Sequence, residues 1–239
     1  MLPIRDTVPA QRFPVVNTTI IVLNVLVFLF ETALPPAALD RFIGVFGFVP
    51  ARFWASGGII GSLTIFTSMF LHGGWSHLIS NMLALYIFGD NVEDRMGHGR
   101  YLLFYLLGGI VAALVHAFAY ADSVVPTVGA SGAISAVLGA YLVLYPLARV
   151  ITIIPFPFFF YFPVYEIPAI FYLGIWFFSQ FLNGTLALVS NTFQQGGGVA
   201  WWAHIGGFIA GFILVRLFAR RQPPRARRYY YYPDEFYPW

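Results

Sequence analysis

Cysteine is absent from the sequence, which excludes disulfides and thiolate metal ligands. Lysine is absent too, and all thirteen basic residues are arginine. Charged residues make up only 10% of the 239 positions, where a soluble domain carries about 25%. The net charge of +3 comes from a basic tail rather than from a surface suited to nucleic acid. There is no HExxH run for a helical zinc site, so no metal or other cofactor is expected. Internal repeats and spans broken near the midplane are also missing, which argues against a transporter. What is abundant is apolar sequence: 59% of residues are hydrophobic and the mean hydropathy is +0.75. An all-α polytopic membrane protein is the expected class, with room for several spans of about 20 residues each.

Residues 1–14, with Pro3, Pro9 and Pro14, read as a short flexible cytoplasmic lead. Arg5 and Arg12 precede a first apolar run without a small-residue cleavage site, so no cleavable signal is expected. Six spans are expected within 15–219. They run from about Val15 to Leu34, His72 or Trp75 to Phe88, Tyr101 to Tyr120, Ser131 to Tyr145, Ile167 to Val189, and Trp201 to Phe218. Ala37 to Phe70 mixes arginine with phenylalanine and tryptophan and reads as a long interfacial loop with short helices. The charges from Gly89 to Arg100 mark a tight loop in water. Val150 to Glu166, rich in proline and phenylalanine, reads as an interfacial hairpin loop. Gly196-Gly197-Gly198 reads as a mobile loop, and residues 220–239 as a disordered basic and tyrosine-rich cytoplasmic tail. With six spans, eleven arginines fall on the side of the termini and only Arg41 and Arg52 on the other. Cytoplasmic termini are therefore expected.

Three polar clusters interrupt the apolar spans. Ser131 lies in Gly129-Ala130-Ser131-Gly132, where glycine neighbours can present both hydroxyl and amide to a substrate. His72, His77 and Asn81 precede or open the second span, and His204 opens the sixth, before Gly206 and Gly207. At 1.5 Å rise per residue, His77, Ser131 and His204 lie roughly 17, 21 and 21 Å above the inner helix ends. In a hydrocarbon core of about 30 Å they share a level about 9 to 13 Å below the outer surface, which implies a wet pocket open outward. Ser131 then needs a base, and His204, level with it on another helix, is the candidate. No Asp or Glu is expected at this depth, and Asp122 in the adjoining turn is a weak alternative. His77 and Asn81, four apart, could donate to an oxyanion together with the Ser131 amide, or could simply join helices. His72 could hold water for the site or hold the loop. His116 reads as a packing residue, His98 as a solvated one. Gln180 and Asn183 read as facing protein rather than lipid.

These residues resemble the rhomboid family of intramembrane serine proteases. The resemblance rests on Gly129-Ala130-Ser131-Gly132, on His72, His77 and Asn81, and on Gly89, Glu93 and Gly97. It is completed by Ala203-His204 with Gly207 and Gly211. It implies a six-transmembrane-helix rhomboid fold with a long outer loop between the first two helices. It also implies Ser131 as nucleophile, His204 as general base, and His77, Asn81 and the Ser131 amide as oxyanion hole, with His72, Gly129 and Gly132 in support. Expected partners are transmembrane protein substrates and the lipid bilayer, with no nucleic acid. The expected place is a bacterial or archaeal cell membrane with the site opening outward. Inactive family members lose the serine or the histidine, and the alternative reading is a silent rhomboid-like protein that escorts membrane clients. Ser135 stands where many relatives carry an aromatic residue against the catalytic histidine, which leaves open how His204 is held.

Overall fold

The computed structural model describes residues 1–155, 162–190 and 198–220. Gly196, Gly197 and the tail from Arg221 onward lie outside the described residues. Helix α1 covers Val15–Ala33 and is followed by three short helices: α2 (Pro36–Phe46), α3 (Pro50–Ala55) and α4 (Ile59–Ser68). Then come α5 (Trp75–Ala84), α6 (Asp90–Met96), α7 (His98–Ala119), α8 (Ser131–Leu144), α9 (Ala169–Val189) and α10 (Trp201–Phe218). Among the described residues α1, α7, α9 and α10 are long and apolar enough to cross a membrane. This is a polytopic helical membrane protein.

The core is a trio of helices, α7, α8 and α10, in close backbone contact. A β-carbon on Gly207 would lie 2.1 Å from the Gly132 carbonyl oxygen, and one on Gly211 1.9 Å from that of Ala136. Gly139 on α8 answers them, since its β-carbon would meet the Phe208 carbonyl at 2.2 Å. Lipid is as apolar as leucine, so helices in a membrane associate through such packing rather than through water exclusion.

The charged stretch after the expected second span is helical rather than a loop. Helix α5 passes through one π-helical turn, Leu85–Gly89, directly into α6. The amide of Asn17 donates to the Leu85 carbonyl at 2.9 Å inside that wide turn. Gly89 makes room, because a β-carbon there would meet the Asn17 amide oxygen at 2.2 Å. One turn on, the Glu93 carboxylate accepts the backbone N–H groups of Val16 (3.0 Å) and Asn17 (2.7 Å), satisfying two donors at the start of α1. Its acidic charge thus serves a neighbouring helix.

Two further expectations change. Residues 149–168 contain a regular antiparallel pair, β2 (Arg149–Ile153) and β3 (Val164–Pro168). Leu2–Asp6 is not a flexible lead but strand β1, antiparallel to β2 in a sheet ordered β1-β2-β3. Pro3 is compatible with this because β1 is an edge strand. The sheet lies at the end of α8 remote from Ser131. There the Tyr141 hydroxyl and the Asn91 amide both donate to Asp6, the latter at 2.9 Å, and Asn91 also donates to Asp90.

Two predictions follow from this packing. Gly211→Ala must separate α8 from α10 at backbone level, costing about 1–3 kcal/mol, so its thermal midpoint in detergent should fall by several degrees. Gly174→Ala on α9, where nothing lies within 4 Å, should leave the midpoint unchanged or raise it. Equal midpoints for the two variants would contradict the close approach. At the sheet, burial raises Asp6 from 3.8 to about 6. Burial, with the nearby Asp6 and Asp94 charges, raises Asp90 from 3.8 to about 7. A carboxyl held above its unfolded value stabilises fully below about pH 4, and that contribution is lost as pH rises through 6 and 7. Hydrogen exchange of the Leu2–Asp6 amides, corrected for intrinsic rate, should therefore speed up between pH 5 and 8, and Asp6→Asn should remove most of the change. Protection that ignores pH in the wild type would refute it.

Candidate active site

Ser131 is the first residue of α8, so its N–H is among the donors that the helix leaves unpaired. The turn before it is clamped. Thr127 and Phe48 exchange backbone hydrogen bonds at 2.7 and 3.0 Å, and the Gly129 N–H donates to the Ser68 carbonyl at 2.9 Å. Gly129 has φ +123°, and a β-carbon there would strike the His77 ring at 2.7 Å. Glycine is thus required twice over, by the backbone and by the imidazole packed against it. Gly132 plays a similar part toward α7, since its β-carbon would meet that of Ala112 at 2.7 Å.

Opposite Ser131, on the first turn of α10, His204 is buried, with Nε2 2.7 Å from the Ser131 hydroxyl oxygen. This is the approach a nucleophile and its base require. The other ring nitrogen, Nδ1, lies 2.7 Å from the Gln180 side-chain oxygen on α9. The Trp176 ring lies 6.0 Å from the imidazole, tilted by 31°, and Trp201 meets it edge-on at 6.2 Å. The aromatic neighbours of His204 therefore come from α9 and α10, and α8 need not supply one. Ser135 instead turns its hydroxyl onto the Ser131 carbonyl at 2.6 Å, leaving it no free proton for chemistry.

The third cluster lies beside this pair. The Gly73 N–H donates to His77 Nδ1 at 3.4 Å, so the proton of a neutral His77 is on Nε2, the atom turned toward Gly129. Asn81 is buried, and its amide nitrogen is 3.0 Å from His72 Nε2. A nitrogen that only donates requires His72 Nε2 to accept, and one amide hydrogen of Asn81 remains for another partner. His72 in turn donates its backbone N–H to Glu31 at 3.2 Å. Glu31, near the end of α1, is 2% exposed, and its second carboxyl oxygen is buried without a partner. An acidic residue thus does reach the margin of this cluster. Asp122 is exposed in the turn before α8 and is not brought in. His116 bonds Thr127 at 3.1 Å, and His98 bonds Glu93 while otherwise exposed. A cavity of about 30 Å³, room for a water molecule, borders Ser131, Gly129, Ser68, Met69 and Thr127.

Two participants escape a reading by motif. Gln180 can be recognised as a polar residue in an apolar span, but its partner depends on how α9 is turned. Glu31 sits in the last turn of a run read only for its length and apolarity.

A sequence model of the Rhomboid domain matches residues 60–221, more than half of the chain. The chain belongs to the rhomboid family. It is similar to rhomboid protease GluP of Bacillus subtilis, with 44% identity over 78 residues, which is 33% of this chain and 15% of that protein. RHOMBOID-like protein 5 of Arabidopsis thaliana is 30% identical over 152 residues, 63% of this chain and 42% of that one. Rhomboid protein 1, mitochondrial, of Saccharomyces cerevisiae is 29% identical over 159 residues, 65% of this chain and 41% of that one. The chain thus spans well under half the length of these rhomboid relatives.

Proposed function

We propose that this rhomboid is an intramembrane serine endopeptidase that cuts membrane-anchored proteins in or near their transmembrane segments. The observation that carries the proposal is the 2.7 Å hydrogen bond between the Ser131 hydroxyl and His204 Nε2 inside an apolar helix bundle. In the first step the Ser131 oxygen attacks the scissile carbonyl carbon while His204 Nε2 takes the hydroxyl proton. The negative oxygen that forms is stabilised by the Ser131 amide, His77 Nε2–H and the spare Asn81 hydrogen. His204 then gives its proton to the leaving nitrogen, the peptide bond breaks and Ser131 is acylated. Water, deprotonated by His204, attacks the ester and restores the hydroxyl. A silent, client-binding role would leave this hydrogen bond without use.

The distribution of arginine, eleven on one side and two on the other, supports cytoplasmic termini and a site that opens outward. A peptide bond inside a membrane helix is shielded by its own hydrogen bonds, so a spanning substrate must unwind locally to react. Cuts should fall within about two or three turns of the substrate's outer end, at small or helix-breaking residues.

Cleavage of a transmembrane substrate by the protein in lipid vesicles tests the assignment. Ser131→Ala should abolish turnover while Ser135→Ala keeps most of it, and retained turnover in Ser131→Ala would sink the proposal. Asn81→Ala and His77→Ala should each lower kcat by roughly 10²- to 10³-fold with little change in KM. A variant that behaves like wild type would mark its residue as a helix joiner instead.

A further inference from the structure

His204 is held from behind by a group that a serine–histidine dyad does not call for. Its Nδ1 lies 2.7 Å from Gln180 Oε1, and both residues are buried. Which end of the Gln180 amide faces the ring follows from the other end. Its nitrogen donates to the Trp176 carbonyl at 3.3 Å and to the Ser179 hydroxyl at 3.0 Å. A carbonyl can only accept, so the nitrogen belongs on that side and the oxygen on the side of His204. An acceptor at Nδ1 requires the imidazole proton there, which leaves Nε2 with the lone pair that takes the Ser131 proton. The opposite tautomer would set an N–H against the hydroxyl and a bare nitrogen against a carbonyl-type oxygen.

We infer that Gln180 is a positioning residue that selects the reactive tautomer of His204, and that this selection depends on α9 being seated against α10. It rests on the serine-protease reading of the site. Gln180 fills the place that a carboxylate takes in soluble triads, but without burying a charge beside apolar helices. The dependence on α9 follows from how little holds that helix. Only Ala169, Leu173, Gln180 and Gly184 are buried along it, and 17% of its most apolar stretch is buried against 50% for α10. Besides Gln180, the contacts to α10 include Trp202 donating to the Gly184 carbonyl at 3.2 Å and Phe177 stacked on Phe208 at 4.7 Å. A shift of α9 by less than a side-chain length removes the acceptor from His204. A site whose base is ordered only when α9 is closed is idle while that helix is displaced.

The experiment compares the wild-type chain with Gln180→Leu, Gln180→Glu and Gly184→Leu, reading both cleavage and the nitrogen-15 spectrum of His204. Wild type should show the proton on Nδ1. Gln180→Leu should lose that preference and lower kcat by about 10- to 100-fold with KM unchanged. Gln180→Glu keeps an acceptor and should retain most of the maximal rate, but its charge favours the imidazolium, so the acid limb of kcat should move to higher pH. Among the described residues the other titratable side chains near enough to act electrostatically on His204 are His77 on α5 and His116 on α7, and neither changes in this comparison. A merely structural Gln180 would leave that limb where it was, and an unmoved limb overturns the inference even if Gln180→Leu misfolds. A β-carbon on Gly184 would meet Trp201 and Ile205 at 3.1 and 3.3 Å, so Gly184→Leu wedges α9 outward and should reproduce the Gln180→Leu spectrum. An unchanged spectrum there would overturn the dependence on α9. If the wild type cleaves nothing yet its spectrum responds to Gln180→Leu as stated, the protease reading falls and the positioning role stands. Wild-type kcat and tautomer in Gln180→Leu overturn the positioning role alone.

Discussion

The close backbone approach of α8 and α10 is the constraint on which the site depends. Gly207 lies against the Gly132 carbonyl and Gly211 against that of Ala136, at distances that leave no room for any side chain. His204 is one turn before Gly207 and Ser131 is next to Gly132, so the contact that packs the helices also sets the separation of the two side chains. A residue larger than glycine would push the helices apart and open the 2.7 Å hydrogen bond. Because lipid offers no driving force for burying apolar side chains, precision here comes from shape. The same glycines thus act on stability and on chemistry together.

Polar networks complete the frame at both ends of the bundle. At the end near the sheet, Asn17, Tyr101 and Glu93 join the start of α1 to α6 and α7 through the π-helical turn. At the other end, Glu31 holds the backbone of His72, whose ring holds Asn81. Helix α1 is therefore tied to α5 at both ends, and the candidate oxyanion donors rest on a helix that is fixed. Helix α9 is anchored at its start, where the Ala169 and Ile170 N–H groups donate to the Ala148 and Pro146 carbonyls at 2.7 and 3.0 Å, and farther along its polar links to α10 include Gln180 with His204 and Trp202 with the Gly184 carbonyl.

How much of this was legible in the sequence depended on whether a residue's partner is set by local spacing. Ser131 and His204 stand out because helical rise puts two polar groups at one depth in apolar surroundings, and the limits of α8 and α10 follow from hydrophobic runs. The helix from Asp90 to Met96 does not stand out, since its charges suggest a loop until Glu93 is seen accepting the amides of α1. Strand β1 is hidden for a related reason. Pro3 within it and Pro9 and Pro14 beyond it suggest flexibility, and its pairing partner lies far along the chain in β2. Gln180 is visible as a polar residue, but the direction it faces depends on the rotation of α9. Long-range partners, rather than local propensity, separate what could be read from what could not.

The central claim is that Ser131 is a nucleophile activated by His204. Reaction of the purified protein with a serine-directed fluorophosphonate, followed by mass spectrometry of the labelled peptide, tests it most directly. A single adduct on Ser131, lost when His204 is replaced by alanine, is the predicted result. Labelling at another serine, or labelling of Ser131 that persists without His204, would contradict it.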